Sequence, residues 1–209
     1  MLAILLAVMS GISALLYMRA EHAGNRKQKY IFKPLTMIFI LALAFLGDSS
    51  SAFYRRMIIA GLAASLAGDV FLMLKKDRLL QGMVMFFIAH LFYITAFASQ
   101  TASLLWWPLF PFLIFAALFY MRLRPFLGTY AFPALLYVLA VTGMVWMAWE
   151  YRYQTGVLLP AVGALLFMIS DSVLAYVRFR KTFRGARAVK LLCYFGGQLL
   201  IAVSTGAFS

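Results

Sequence analysis

Acidic side chains are scarce in this chain. Six Asp and Glu stand against nineteen Lys and Arg in 209 residues. There is one cysteine, Cys193, so no internal disulfide can form and cysteine usage says nothing about compartment. No CxxC pair, Cys/His cluster, HExxH or glycine-rich phosphate loop occurs, so neither a metal site nor a nucleotide site has support, and no cofactor is expected. No Ser/His/Asp order of a nucleophilic hydrolase is recognisable. Linkers and low-complexity tracts are also missing, so residues 1–209 read as a single transmembrane domain. The net charge of +13 raises the question of nucleic acid. The basic residues, however, sit in short runs between long apolar segments, which points to a multi-pass membrane protein with no nucleic-acid partner.

What the chain does have is apolar length. It is 65% hydrophobic, with a mean hydropathy of +0.92, where soluble domains average roughly 45–50% apolar residues. Runs long enough to cross a bilayer cover 2–18, 32–47, 56–74, 80–98, 103–120, 129–149, 156–177 and 188–206. The expected fold is all-α, a bundle of eight transmembrane helices. The first run lacks a preceding basic region, and charges begin at Arg19, so it reads as a span rather than a signal peptide. Lys33-Pro34 reads as the start of the second helix, since proline suits a first turn. Sixteen of the nineteen basic residues fall in the first, third, fifth and seventh connections and their flanks; Arg55, Arg56 and Arg152 are the exceptions. The positive-inside rule then puts those connections in the cytoplasm and both termini outside, in what is expected to be a bacterial inner membrane.

Two apolar spans each carry an aspartate, Asp69 and Asp171. An ionisable group at the centre of a membrane helix costs ~3 kcal/mol or more, so each is a candidate functional residue. Asp69 lies six residues before Lys75 and Asp171 seven before Arg178, at matching depth. The motif Asp-x-x-Leu recurs after 102 residues, at Asp69 and Asp171, an echo that allows a parallel duplication of two four-helix halves. Gly82, Phe86, His90, Tyr93 and Phe97 share one face of the fourth helix. Tyr194, Gln198, Ile201 and Thr205 share one face of the eighth. Tyr137 lies at comparable depth in the sixth. A polar cluster in the inner half of the bundle, open to the cytoplasm, satisfies all of them.

Gly68-Asp69-Val70-Phe71-Leu72-Met73, then Gly82-x-x-x-Phe86-x-x-x-His90-x-x-Tyr93, then Gly163-Ala164-x-x-Phe167-x-x-Ser170-Asp171-x-x-Leu174-Ala175, then Tyr194-x-x-x-Gln198-Leu199-Leu200-Ile201-x-x-Ser204, with Lys33-Pro34-Leu35 before them, resemble the YhhN-like family of membrane proteins. The resemblance implies lysoplasmalogenase activity, the hydrolysis of the vinyl ether bond of a lysophospholipid to a fatty aldehyde and a glycerophospho-ethanolamine or -choline. Such hydrolysis begins with a proton delivered to carbon and passes through an oxocarbenium ion. Two carboxyls in one low-dielectric site suit it, because mutual repulsion leaves one proton between them and so provides both an acid and an anion.

Asp69 and Asp171 are therefore the candidate catalytic pair. Lys33, Ser65, His90, Tyr93, Tyr137, Tyr194 and Gln198 are candidates for substrate binding or for holding the pair. Lys33, taken with Pro34 at a helix N-terminus, could cradle a phosphate or anchor the helix at the interface. His90 could orient either aspartate or bind the headgroup. A second reading keeps the aspartates as bundle glue, or as the proton relay or cation site of a small transporter or lipid-binding protein. The expected partners are a lysophospholipid and membrane lipids, and a homodimer stays open. The topology has a direct check. A reporter that works only in the cytoplasm, fused after Ser209, should be silent; an active fusion would remove or add one span.

Overall fold

The computed structural model describes residues 1–48, 51–74 and 78–206. Lys75 and Lys76, used above for charge and depth, and Ser209, the fusion point, lie outside the described residues. Among the described residues eight α-helices follow one another: α1 Leu2–His22, α2 Arg26–Phe45, α3 Ala52–Met73, α4 Leu79–Ala98, α5 Leu109–Leu123, α6 Ala131–Thr155, α7 Leu159–Phe179 and α8 Ala186–Val203. Two short 3₁₀ turns, Arg124–Phe126 and Gly128–Tyr130, join α5 to α6. All eight spans are long and apolar enough to cross a membrane, counting α5 and α6 with their adjoining 3₁₀ turns. There is no strand among the described residues. The protein is an all-α integral membrane bundle, as the apolar runs imply.

The helix boundaries differ from the apolar runs for local reasons. The second helix begins at Arg26, not at Lys33, because Asn25 caps it by accepting from the Gln28 amide at 3.2 Å. Pro34 is thus inside the helix, where it cannot donate to the carbonyl one turn back. Lys33 sits about two turns inside, so the phosphate cradle expected at a helix N-terminus is not formed there. Charge also misplaced some ends. The first helix runs to His22 and the sixth to Thr155, through Glu150 and Arg152. Gly156, read as the start of the seventh span, instead ends α6. Its φ of +76° is a left-handed conformation suited to glycine, and its amide closes on the Arg152 carbonyl at 2.8 Å. The fifth helix starts only at Leu109. The segment before it is tied to α6 by the Leu105 amide to Glu150 Oε2 at 2.9 Å, the Trp146 indole to the Leu105 carbonyl at 3.0 Å and the Ala102 amide to Gln154 Oε1 at 2.6 Å.

The centre of the bundle is made by α3, α4, α6, α7 and α8, while α1 and α5 sit at its edge. From α5 only Ala116 and Leu123 are buried; its lipid-facing flank includes Phe110, Ile114 and Leu118. Small residues set the close helix pairs, as packing within a bilayer requires. A Cβ on Gly61 would overlap the Tyr93 ring, and one on Gly68 would overlap Phe86, both of α4. α7 and α8 meet backbone to backbone, where a Cβ on Gly197 would lie 2.7 Å from the Gly163 carbonyl oxygen, an atom that cannot rotate away. Gly197→Ala should therefore destabilise the bundle by about 1–3 kcal/mol, the range for forced overpacking. A lower thermal midpoint in detergent is the expected reading, and an unchanged midpoint would mean that the pair is not close-packed.

Candidate active site

Both aspartates are buried on the inside of the bundle, Asp69 at 1% exposure and Asp171 at 9%. Each hangs from a helix that runs toward the end carrying the first, third, fifth and seventh connections. Each meets two side chains from other helices. Asp69 Oδ1 accepts an ion pair from Lys33 Nζ of α2 at 2.7 Å, and its Oδ2 accepts from the Tyr194 hydroxyl of α8 at 2.7 Å. The Lys33 ammonium also stands 5.9 Å over the Tyr194 ring. Asp171 Oδ2 accepts from the Tyr137 hydroxyl of α6 at 2.7 Å, and His90 Nε2 of α4 approaches the same oxygen to 3.5 Å. No bond joins the two carboxyls among the described residues, so they form two nodes rather than one carboxyl pair sharing a hydrogen bond.

The nodes correspond. Lys33 to Tyr137 and His90 to Tyr194 are each 104 residues, and Asp69 to Asp171 is 102. Each aspartate takes one partner from the helix before it in its own half, and one from the last helix of the other half. Two halves related by a pseudo-two-fold axis would produce this pattern. The halves differ in chemistry at the corresponding places: an ammonium faces Asp69 where a phenol faces Asp171, and a phenol faces Asp69 where an imidazole faces Asp171.

Behind the nodes lies an aromatic and amide layer. Phe167, fully buried, packs edge-on against His90 at 5.0 Å and Tyr194 at 5.6 Å between centroids. The Tyr93 hydroxyl donates to Gln198 Oε1 at 2.7 Å, with Ser65 beside it. Neither nitrogen of His90 has a hydrogen-bond partner among the described residues. The structure thus brings Lys33, Asp69 and Tyr194 into one node and His90, Tyr137 and Asp171 into another. Ser65, Tyr93 and Gln198 stand one layer away and line neither of the two cavities below.

Two cavities open at this end. One, of about 630 Å³, is polar. Among the described residues it is lined by the basic side chains of Arg26, Lys29, Lys33, Arg78, Arg178 and Lys190 and the acidic ones of Glu21, Asp69 and Asp171. The other, a cleft of about 80 Å³, is apolar, and α4, α5, α6 and α7 wall it with Met83, Phe115, Phe119, Leu123, Val138 and Met168 among others. Six residues line both: Leu72, Leu79, Phe86, Asp171, Leu174 and Arg178. Asp69 and Lys33 line only the polar one. Much of the polar wall carries no signal in the sequence. Glu21, paired with Lys29 at 2.6 Å, and Lys190 look in sequence like any charges at the end of a span.

These features define a class, a helical membrane protein in which an apolar cleft and a basic cavity meet at a buried carboxyl. Residues 28–205 match the YhhN family, and the chain belongs to it. It is 35% identical over 197 residues to the uncharacterized membrane protein YhhN of Escherichia coli O6:H1, covering 92% of this chain and 94% of that one. It is 32% identical over 180 residues to human lysoplasmalogenase TMEM86A, covering 80% of this chain and 72% of the other. To human lysoplasmalogenase TMEM86B it is 32% identical over 161 residues, 75% of this chain and 66% of the other. No solved structure matches the chain.

The Lys33–Asp69 pair should dominate the stability of this end. Removing one partner of a buried pair leaves an uncompensated charge and costs about 3–5 kcal/mol. Lys33→Met should lower the thermal midpoint in detergent accordingly, and adding Asp69→Asn to it should restore most of the loss. If the double variant is as unstable as the single one, the pair is not the source of the effect.

Proposed function

We propose that this protein is a lysoplasmalogenase, hydrolysing the vinyl ether of a 1-alkenyl glycerophospholipid from the leaflet that faces its positively charged connections. The observation that carries the reading is the seam, where an apolar cleft and a basic cavity share Asp171. The substrate has the same order of parts. Its alkenyl chain suits the cleft, its phosphodiester suits the basic cavity, and the ether lies between. The cleft takes the first carbons of the chain, and the remainder runs along α5 among the lipids.

The reaction follows from that placement. The carbon to be protonated is the alkenyl carbon one bond farther from oxygen, on the chain side, so the acid is the carboxyl that lines both cavities, Asp171. The π electrons form the new C–H bond and leave an oxocarbenium ion at the carbon bearing oxygen. Tyr137 holds one oxygen of the acid, and His90 acts as a positioning residue beside it. Asp69, balanced by Lys33 and Tyr194, stays an anion on the polar side and stabilises the cation. Water adds to the cation and gives its proton to the Asp171 carboxylate, restoring the acid. The hemiacetal then collapses, its hydroxyl proton passing to the ether oxygen as that C–O bond breaks. The products are an aldehyde and the glycerophospho-base. The chemistry calls for acid, anion and water, the division of labour seen in glycosidases around a similar cation.

Purified protein in detergent should release aldehyde from lysoplasmalogen with no ion gradient, and none from a 1-acyl lysolipid. A transporter would release none from either. Asp171→Asn and Asp69→Asn should each lower kcat by about 10²–10⁴-fold in folded protein, the usual worth of such groups. Nearly full activity in either variant would remove that residue from the chemistry.

A further inference from the structure

The polar cavity has an excess of cations, and they are not equivalent. Lys33 is paired with Asp69 and Lys29 with Glu21. Lys190 lines the same cavity and makes no ion pair with an acidic side chain among the described residues. Its position is built rather than incidental. The Ser170 hydroxyl, next in sequence to Asp171, donates to the Lys190 carbonyl at 2.9 Å, tying the start of α8 to the acid's own helix. Four residues on, one turn along the same face of α8, Tyr194 donates to Asp69. Lys190 therefore stands about one helical turn, roughly 5–6 Å along α8, from the residue that holds Asp69. The glycerol that joins ether oxygen to phosphorus spans five bonds, roughly 6 Å when extended.

The corresponding position in the first half is Phe86, 104 residues earlier, whose ring lines both cavities. Where one half offers an apolar wall at the seam, the other offers an ammonium.

We infer that Lys190 is the residue that binds the substrate phosphate, a role the sequence had offered to Lys33. This rests on the reading of the reaction given above. A lysine ammonium is a point charge suited to a phosphodiester oxygen, and a charge-assisted contact of this kind is worth about 10–100-fold in affinity.

The test compares two substrates, lysoplasmalogen and the phosphate-free 1-alkenylglycerol, with wild type, Lys190→Met, Lys190→Arg and Arg187→Ala. Arg187 is an exposed α8 cation that does not line the cavity. Lys190→Met should raise KM for lysoplasmalogen about 10–100-fold with kcat within about twofold, because the contact is equal in ground and transition states. It should leave KM for 1-alkenylglycerol unchanged. Lys190→Arg should restore most of the affinity, and Arg187→Ala should behave as wild type. An unchanged KM for lysoplasmalogen in Lys190→Met, or an equal loss on both substrates, overturns the assignment while aldehyde release by wild type keeps the reaction standing. Absence of aldehyde from wild type on both substrates would overturn the reaction itself, and this assignment with it.

Discussion

The Lys33–Asp69 ion pair, 2.7 Å long and nearly sealed from solvent, is the constraint on which the rest of this end of the bundle depends. A lone carboxylate at membrane depth is expensive, and so is a lone ammonium. Joined, they fix α2 against α3, and the Tyr194 hydroxyl brings α8 to the same point. Lys33 is two turns inside its helix because Asn25 caps the chain well before it, which lets the ammonium reach a carboxylate inside the bundle. The pair also keeps one negative charge at a fixed place beside a cavity otherwise rich in cations.

Asp171 has no lysine paired with it among the described residues. It meets a phenol and an imidazole instead of an ammonium, and it sits at the seam rather than wholly in the polar cavity. The correspondence at 104 and 102 residues makes the difference legible. Two similar halves, each contributing an aspartate to one region, would give two similar carboxyls. One phenol in place of one ammonium makes the two carboxyls unlike, and Phe86 in place of Lys190 gives an apolar wall where the other half has a cation. The proposed division of labour is in this sense a product of broken symmetry.

Much of this was legible in the chain. The aspartates, the faces of the fourth and eighth helices and the eight spans follow from hydropathy and four-residue spacing, and Gly82, Phe86, His90, Tyr93 and Phe97 are all buried together. What was not legible depends on local capping and on distant pairing. Asn25 moves a helix start by seven residues relative to Lys33, and Gly156 ends a helix where hydropathy alone begins one. Glu150 reads as the outer end of a span, yet it is buried because it collects the Leu105 amide and the Trp146 indole. Lys190 reads as one more basic residue of an interfacial run. Only the fold reveals that it faces the cavity. The role of Lys33 changed for the same reason, since periodicity does not say which side chain an ammonium will find across the bundle.

The proposed division of labour requires that Asp171 hold the proton that is transferred and that Asp69 supply the anion. Infrared spectroscopy of the purified protein near neutral pH, with isotopically labelled aspartate, reads that difference directly. A carboxylic-acid C=O band that shifts with the label, disappears in Asp171→Asn and persists in Asp69→Asn is the predicted result. A band that disappears instead in Asp69→Asn, or no protonated aspartate at all, would contradict it.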